Sequence, residues 1–353
     1  MGVPILKSKL LSQTTAANFS TLPAKTEFYK TLPITISEDA ILLVPELVHK
    51  YGYPCESHTV ITSDGYILTM HRISHGSTGV TGQKKFPVYL QHGLLSSSAD
   101  WLLAGPEKSL VFYVMCSEKP EYNEKIKVQM SLAPVGFLDH IRSPLIRFLL
   151  GFETFIKMVT NLLGIYNILS VTKFSPIIGQ LLCSDQSVTQ FLCINLIFLL
   201  FGFNPRQMNS TLLPVIFGHT PAGVSTKQIY HYVQEIHSGK FENYDYGPME
   251  NTVLYNSVRP PSYIMEKITA PVYLYYSIND FLSSDIDVKR LQTRLPNVID
   301  AILNPDSKFN HGDYLYGINA KKVLYEPLIE NMLNIINLRK KELLLGHGKI
   351  PPS

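Results

Sequence analysis

The stretch Phe86–Glu107, FPVYLQHGLLSSSADWLLAGPE, constrains the fold most strongly. It begins with an apolar run, Phe86–Leu90, that leads directly into the turn His92-Gly93-Leu94-Leu95. A short apolar run bounded by a glycine turn is typical of a buried strand in a parallel sheet. Turns at the carboxyl ends of such strands carry the ligand chemistry of α/β proteins. The stretch therefore predicts an α/β fold with a functional turn after Leu90.

Size and composition narrow the class of protein. The chain has 353 residues, of which 45% are hydrophobic and 17% charged, enough for a large buried core. A net charge of +3, with scattered basic residues, does not indicate a nucleic-acid partner. The four cysteines, Cys55, Cys116, Cys183 and Cys193, have neither zinc-site spacing nor the density of a disulfide framework. We expect no metal and no cofactor.

The amino-terminal part and the most apolar part of the chain bear on localisation. Residues 1–43 are rich in Thr and Ser and predict a poorly ordered lead-in. Within them, Met1–Lys30 contains no sustained apolar run of the kind that a secretory signal has. Asn18 and Asn209 each begin an N-glycosylation sequence, which matters only in the secretory pathway. The uncharged run Gln186–Pro205 is interrupted by polar residues, so it does not predict a transmembrane span.

The order of predicted elements alternates between strands and helices, as in α/β proteins. Asp64-Gly65 predicts the turn of a hairpin, since Asp-Gly supplies the positive φ that such turns need. Residues 137–202 are apolar and predict helices. The predicted strands are Ser57–Thr62, Tyr66–Ile73, Phe86–Leu90, Lys127–Ala133, Thr211–Gly218, Ala270–Ser277 and Val298–Leu303. The predicted helices outside 137–202 are Val44–Lys50, Val224–His237, Asp287–Arg294 and Val323–Arg339. Ser225 is the predicted cap of the second of these helices.

Several motifs together resemble one family. They are KYGYPCESHTVITSDGYILTMHRI, QHGLLSSSADW with GPEKSL, GHTPAG, ITAPVYLYYSIND and KFNHGDYLYG, in that order from about Val44 to about Asn337. The chain is thus similar to the acid lipases, the gastric and lysosomal lipases and their insect relatives. The resemblance implies an α/β-hydrolase core over residues 44–136 and 204–345, with a helical cap over 137–203. It also implies hydrolysis of triacylglycerols or cholesteryl esters and contact with a lipid–water interface. The relatives are secreted or lysosomal, which implies the same location here; because no signal is recognisable, a cytoplasmic location stays open.

The resemblance also assigns site residues. Asp280 matches the charge-relay acid and His311 the general base, in the acid-then-histidine order of hydrolases. Leu94, in the HGLL turn, matches an oxyanion donor through its backbone N–H. We interpret Asp285 and Asp287 as helix-start residues.

The nucleophile is missing. No G-x-S-x-G occurs in the sequence, although this elbow carries the catalytic serine of such enzymes. GPEKSL is joined directly to VFYVMC at Leu110–Val111, where the relatives insert two βα units ending in the elbow. Ser109 lies within a helix-like stretch, and Thr220 is followed by Pro221, which has no N–H to donate, so neither replaces it. The core sheet is then incomplete, lacking two central strands that flank Phe86–Leu90.

Three functional interpretations follow. The first is an acid-lipase-type ester hydrolase that is inactive or nearly so as this sequence stands. The second is a non-catalytic pseudoenzyme that binds a lipid ester or fatty acid under its cap, and the third is a truncated product without function. In the relatives, a cysteine at the position of Phe201 forms a cap disulfide with the cysteine at the position of Cys193. Because this chain has Phe201 there, we expect that bridge to be absent.

Overall fold

The computed structural model describes residues 27–62, 65–76, 79, 87–103, 116 and 119–344, the last six of these, 339–344, by their backbone alone. The strands are β1 Glu56–Ile61, β2 Ile67–Arg72, β3 Gln129–Leu132, β4 Asn167–Ile168, β5 Val224–Ser225, β6 Val272–Tyr276 and β7 Val298–Leu303. The helices are α1 Val44–Lys50, α2 Asp100–Leu103, α3 Pro144–Leu150, α4 Glu153–Leu162, α5 Ser175–Cys183, α6 Gln190–Phe201, α7 Leu213–His219, α8 Thr226–Ser238, α9 Pro248–Tyr255, α10 Asp285–Arg294, α11 Asp313–Tyr316 and α12 Glu326–Leu344.

A parallel sheet forms the centre of the described fold. Its strand order is β3-β6-β7, with β3 and β7 both parallel to β6. Strand β6 is buried on both sides, as its continuous apolar sequence predicts. Helix α10 packs against β6, which gives the alternation of strand and helix that defines an α/β fold. The predicted α/β class is confirmed.

Alternate residues of β6 face two separate cores, because side chains alternate across a strand. Val272 and Leu274 pack with Leu291 of α10 and with residues of the preceding loops. Tyr273 and Tyr275 pack on the opposite face with Leu328 of α12 and its neighbours. The sheet is therefore covered by helices on both faces.

The predicted hairpin is also confirmed. Strands β1 and β2 pair antiparallel from Glu56↔Arg72 to Ile61↔Ile67. They form their own two-stranded sheet, and apolar side chains such as Ile61 and Ile67 are about 70% exposed. The backbone hydrogen bonds of the two strands are thus made within the hairpin, which does not join the β3-β6-β7 sheet.

The prediction of a buried strand at Phe86–Leu90 is wrong. Phe86 lies outside the described residues, and Pro87–Leu90 form no strand. The side chains of Val88 and Tyr89 are 60% and 66% exposed. An apolar run becomes a buried strand only where a neighbouring strand accepts its backbone hydrogen bonds, and among the described strands none pairs with residues 87–90.

Residues 137–203 contain the predicted helices, namely α3, α4, α5 and α6. Cys193 of α6 is joined to Cys183 of α5 in a disulfide. This bridge differs from the one expected to be absent, because its second cysteine is Cys183 and the position of the relatives' second cysteine holds Phe201; the pairing with Cys183 was not predicted. No helix in the described part of the chain is long and apolar enough to cross a membrane.

Two further expectations are corrected. The apolar run Thr211–Gly218 is not a strand but the helix α7, which packs between α5 and the segment Glu38–Ala40. A short apolar run fits a buried helix as well as a strand, and Pro214 stands in its first turn, where helices tolerate proline. Residues 27–43, predicted as a poorly ordered lead-in, are packed: Ala40 and Leu42 are buried, and the Tyr29 hydroxyl donates to the carbonyl oxygen of Lys173 at 2.9 Å.

Candidate active site

The two loops that carry the predicted acid and base lie at the same edge of the parallel sheet. Strand β6 ends at Tyr276 and is followed by the turn that contains Asp280. Strand β7 ends at Leu303 and leads into the loop that contains His311. Because β6 and β7 are parallel neighbours, the loops at their carboxyl ends meet, which is where α/β sheets bind ligands.

Asp280 and His311 form a buried pair. The imidazole Nδ1 of His311 lies 2.8 Å from Oδ2 and 3.0 Å from Oδ1 of Asp280. Asp280 is fully buried and His311 is 6% exposed. Oδ1 of Asp280 also accepts the backbone N–H groups of Leu282 at 2.8 Å and Ser283 at 2.7 Å. The backbone of its own turn therefore fixes the carboxylate of Asp280 independently of the imidazole.

This geometry suits a charge-relay pair. An ionised carboxylate can only accept hydrogen bonds, so Nδ1 of His311 must carry the proton. The lone pair of the imidazole then resides on Nε2, the nitrogen that acts as general base in such pairs. The fixed, buried carboxylate would also stabilise the imidazolium formed during proton transfer.

The predicted oxyanion turn is joined to the same region. Leu94 lies in a turn in which the backbone N–H of Ser96 donates to the carbonyl oxygen of Gly93 at 3.3 Å. The backbone N–H of Ala222 donates to the carbonyl oxygen of Leu95 at 2.7 Å. Helix α2, which follows this turn, contacts α11, which begins two residues after His311. Helix α2, on the carboxyl side of the HGLL turn, therefore packs near the loop of His311.

Comparison with known proteins identifies the family. Residues 44–105 match the model of a partial alpha/beta-hydrolase lipase region. Lipase 3 of Drosophila melanogaster is 31% identical over 361 residues, covering 81% of this chain and 92% of the fly protein. Gastric triacylglycerol lipase of Rattus norvegicus is 28% identical over 374 residues, covering 83% and 92%, and lipase lipl-1 of Caenorhabditis elegans is 27% identical over 371 residues, covering 83% and 92%.

The chain belongs to the acid lipase family.

For an acid lipase, the site offers no elbow nucleophile in the described residues. Thr220 follows a helix rather than a strand, and its hydroxyl donates to Oδ1 of the buried Asp100 at 2.8 Å. This bond makes Thr220 a connection between α7 and α2. Ser109, the other candidate nucleophile, lies outside the described residues.

Sequence reasoning missed a buried carboxyl beside the acid-lipase pair. Asp313 is 5% exposed; its Oδ2 accepts the Nδ2 group of Asn204 at 2.7 Å and the backbone N–H of Asn310 at 2.8 Å. The pKa of Asp313 is raised to about 7, chiefly by burial and to a lesser degree by the charges of Asp306 and Asp280, against the two hydrogen bonds, which lower it. The motif KFNHGDYLYG contains Asp313, but its burial depends on Asn204, over one hundred residues earlier.

A second Asp–His cluster lies on the far side of the acid turn. Nδ1 of His140 is 2.7 Å from Oδ1 of Asp287, and the carboxylate of Asp139 is close enough for the three groups to hold a metal ion. However, the second oxygen of Asp287 already accepts the backbone N–H of His140 at 3.1 Å, and Asp139 is paired with Arg290 at 3.0 Å. The cluster is best described as a salt-bridge network between residues 139–140 and α10.

The helix-start interpretation of Asp285 and Asp287 is confirmed, because both stand in the first turn of α10. Ser284 caps this helix, its hydroxyl oxygen accepting the backbone N–H of Ile286 at 3.2 Å. Asp285 also lies 3.4 Å from the guanidinium of Arg142, which donates to the carbonyl oxygen of Asp280 at 2.9 Å. The start of α10 therefore supports the acid turn as well as the helix.

Proposed function

We propose that this chain derives from an ester hydrolase of the acid lipase type, with Asp280 as the acid and His311 as the base. The observation that carries the proposal is the buried His311–Asp280 contact of 2.8 Å at the carboxyl edge of the sheet. The substrate class is a lipid ester, a triacylglycerol or a cholesteryl ester; the rat relative is named a triacylglycerol lipase. Leu94 would supply one oxyanion donor through its backbone N–H.

We further propose that the chain as given is inactive or nearly so, because the serine nucleophile and the oxyanion donor that follows it are absent. A triad without its nucleophile keeps only the residual rate that comes from binding and the oxyanion hole. Asp280 and His311 bind each other in the roles of acid and base, so neither supplies the hydroxyl that forms the acyl-enzyme. Transfer of the acyl group would therefore stop before its first covalent step.

An internal loss at Leu110–Val111 is the proposed origin of this defect. The described parallel sheet has the order β3-β6-β7, and the exposed apolar segment Pro87–Leu90 pairs with none of the described strands. The alignment with the fly lipase is 361 residues long although it covers 81% of a 353-residue chain, so part of it has no counterpart here. Both observations support a core sheet that lacks two central strands.

A non-catalytic lipid-binding role is the second candidate, and the predicted cap region supports it. Its helices and connections expose large apolar side chains, among them Phe155 at 61%, Leu162 at 81% and Val188 at 89%. Exposed apolar groups at this density mark contact sites for lipids or other partners. This function needs no nucleophile, only the apolar surface of the cap.

We propose a secreted or lysosomal location for the protein. The Cys183–Cys193 disulfide supports an oxidising compartment. Asn209 is exposed, as a glycosylation acceptor must be, whereas Asn18 lies outside the described residues. A shift in mass on treatment with an N-glycosidase, absent from Asn209→Gln, would support the assignment of Asn209.

Hydrolysis of a short-chain p-nitrophenyl ester by the purified chain tests the proposed defect. We expect no turnover above that of His311→Ala. Turnover that His311→Ala abolishes would refute the inactivity proposal, and Thr220→Ala would then test Thr220 as the substitute nucleophile. Binding of a fluorescent fatty acid by the folded, inactive protein would support the lipid-binding candidate, while an inactive chain that does not fold would indicate a truncated product without function.

A further inference from the structure

The end of the predicted cap contacts both loops of the Asp280–His311 pair. We define the cap-end segment as Phe201–Asn204, which begins at the last residue of α6. The carbonyl oxygen of Phe201 accepts the backbone N–H of Phe281 at 3.2 Å and that of His311 at 3.3 Å. A single carbonyl therefore joins the residue after the acid to the base itself.

Side-chain amides add two further links to this segment. Nδ2 of Asn310 donates to the carbonyl oxygen of Gly202 at 2.7 Å. Nδ2 of Asn279 donates to the carbonyl oxygen of Phe203 at 3.1 Å and to that of Lys308 at 2.6 Å. Asn279 precedes the acid, and Lys308 lies on the loop of the base, so one amide group connects the acid turn, the base loop and the cap-end segment.

The backbone of the segment is suited to this close contact. Gly202 has φ +116°, a conformation that side chains rarely adopt. A Cβ at this position would lie 2.1 Å from the carbonyl oxygen of Asn279. The close approach of Gly202 to the acid turn thus depends on the absence of a side chain.

We propose that Asn279 is a positioning residue for the Asp280–His311 pair, acting through the cap-end segment and the carbonyl of Lys308. The proposal deepens the proposed function, since it takes the pair to be the acid and base of ester hydrolysis. Asn279 contacts no reacting atom; its amide fixes the distance between the turn that carries the carboxylate and the loop that carries the imidazole. Removal of the amide leaves the carboxylate and the imidazole in place but loosens the hydrogen bond between them.

The Nδ1 proton of His311 is the direct reporter of this bond. A proton shared with a buried carboxylate exchanges slowly with water and gives a separate downfield signal in the proton NMR spectrum. This signal needs no catalytic turnover, so it can be measured on the full chain labelled with ¹⁵N-histidine even if the ester assay shows no activity. Asp280→Ala should abolish the signal and so assigns it.

The test compares Asn279→Ala with Asn297→Ala. Asn297 is an exposed asparagine whose Nδ2 donates to the carbonyl oxygen of Thr269 at 2.8 Å, in the loops that precede β6 and β7. We expect Asn279→Ala to lose the Nδ1 signal while its amide spectrum stays folded, and Asn297→Ala to keep it. Asn310→Ala, which removes the contact with Gly202, should also lose it.

Retention of the signal in folded Asn279→Ala would overturn the proposal. Unfolding of Asn279→Ala beside a folded Asn297→Ala would also overturn it, because Asn279 would then serve global stability and not the pair. Loss of the signal in folded Asn279→Ala would support the positioning role whether or not the wild-type chain shows turnover, so this test and the ester assay can fail independently. Measurable turnover would add a second readout, with a fall in kcat and little change in KM in Asn279→Ala.

Discussion

The buried carboxyl of Glu235 contributes stability to the folded protein at mildly acidic pH that is lost toward pH 8. Glu235 lies on α8, is 5% exposed, and its Oε1 has no hydrogen-bond partner in the described structure. Nε2 of His231 lies 3.8 Å from Oε1 of Glu235, and burial lowers the pKa of that imidazole. Burial, and to a lesser degree the charge of Glu242, raises the pKa of Glu235 from 4.5 to about 8.

The sign follows from proton linkage. The folded state binds the Glu235 proton more tightly than the unfolded state, so the free energy of unfolding falls as the pH rises from the unfolded to the folded pKa. Each pKa unit corresponds to about 1.4 kcal/mol. For a shift from 4.5 to about 8, the loss between pH 5 and pH 8 is on the order of 3 kcal/mol.

Glu235→Gln tests this calculation, since the amide has the same shape but cannot ionise. Urea unfolding at pH 5 and at pH 8 should show that the variant loses less stability than the wild type, by roughly 3 kcal/mol. Glu330→Gln is the matched control, because Glu330 is an exposed glutamate on α12. Equal pH dependence in Glu235→Gln and the wild type would refute the reasoning.

Three further predictions concern the fold. Cys193→Ser opens the disulfide between α5 and α6, and we expect a loss of roughly 2–3 kcal/mol in the free energy of unfolding under oxidising conditions, with no difference after reduction. Leu291→Ala removes a fully buried side chain between α10 and β6 and should cost about 2–5 kcal/mol in urea unfolding, whereas Ile286→Ala on the exposed side of α10 should cost much less. Gly202→Ala should destabilise the chain more than Gly52→Ala: both positions have positive φ, but a Cβ at Gly52 meets no atom within 4 Å, so equal melting temperatures for the two variants would contradict the contact with the acid turn.

Local patterns predicted many of the elements with accurate bounds. Helix α1 and strand β7 have the predicted limits, and β6 lies within the predicted Ala270–Ser277. Ser225 caps α8 as predicted, with its hydroxyl oxygen accepting the backbone N–H of Lys227 at 3.3 Å. These elements depend on periodicity and capping, which are properties of neighbouring residues.

Errors arose where an apolar run needed a distant partner. Pro87–Leu90 has the composition of a core strand, but a strand requires a neighbour for its backbone groups. Thr211–Gly218 has the same kind of composition and became helix α7, because its surroundings in the fold are helical. The pairing of Cys193 with Cys183 likewise followed from the contact between two helices.

The sequence by itself determined the family, the α/β class and the absence of a G-x-S-x-G nucleophile, because each depends on residue identity and order. It also pointed to Asp280 and His311 as separate residues. Tertiary structure alone decided that Nδ1 of His311 lies 2.8 Å from Oδ2 of Asp280, that the carboxyls of Asp313 and Glu235 are buried, and that Asn279 joins the two loops. Distances and solvation between residues far apart in the chain arise only after packing, so no local pattern contains them.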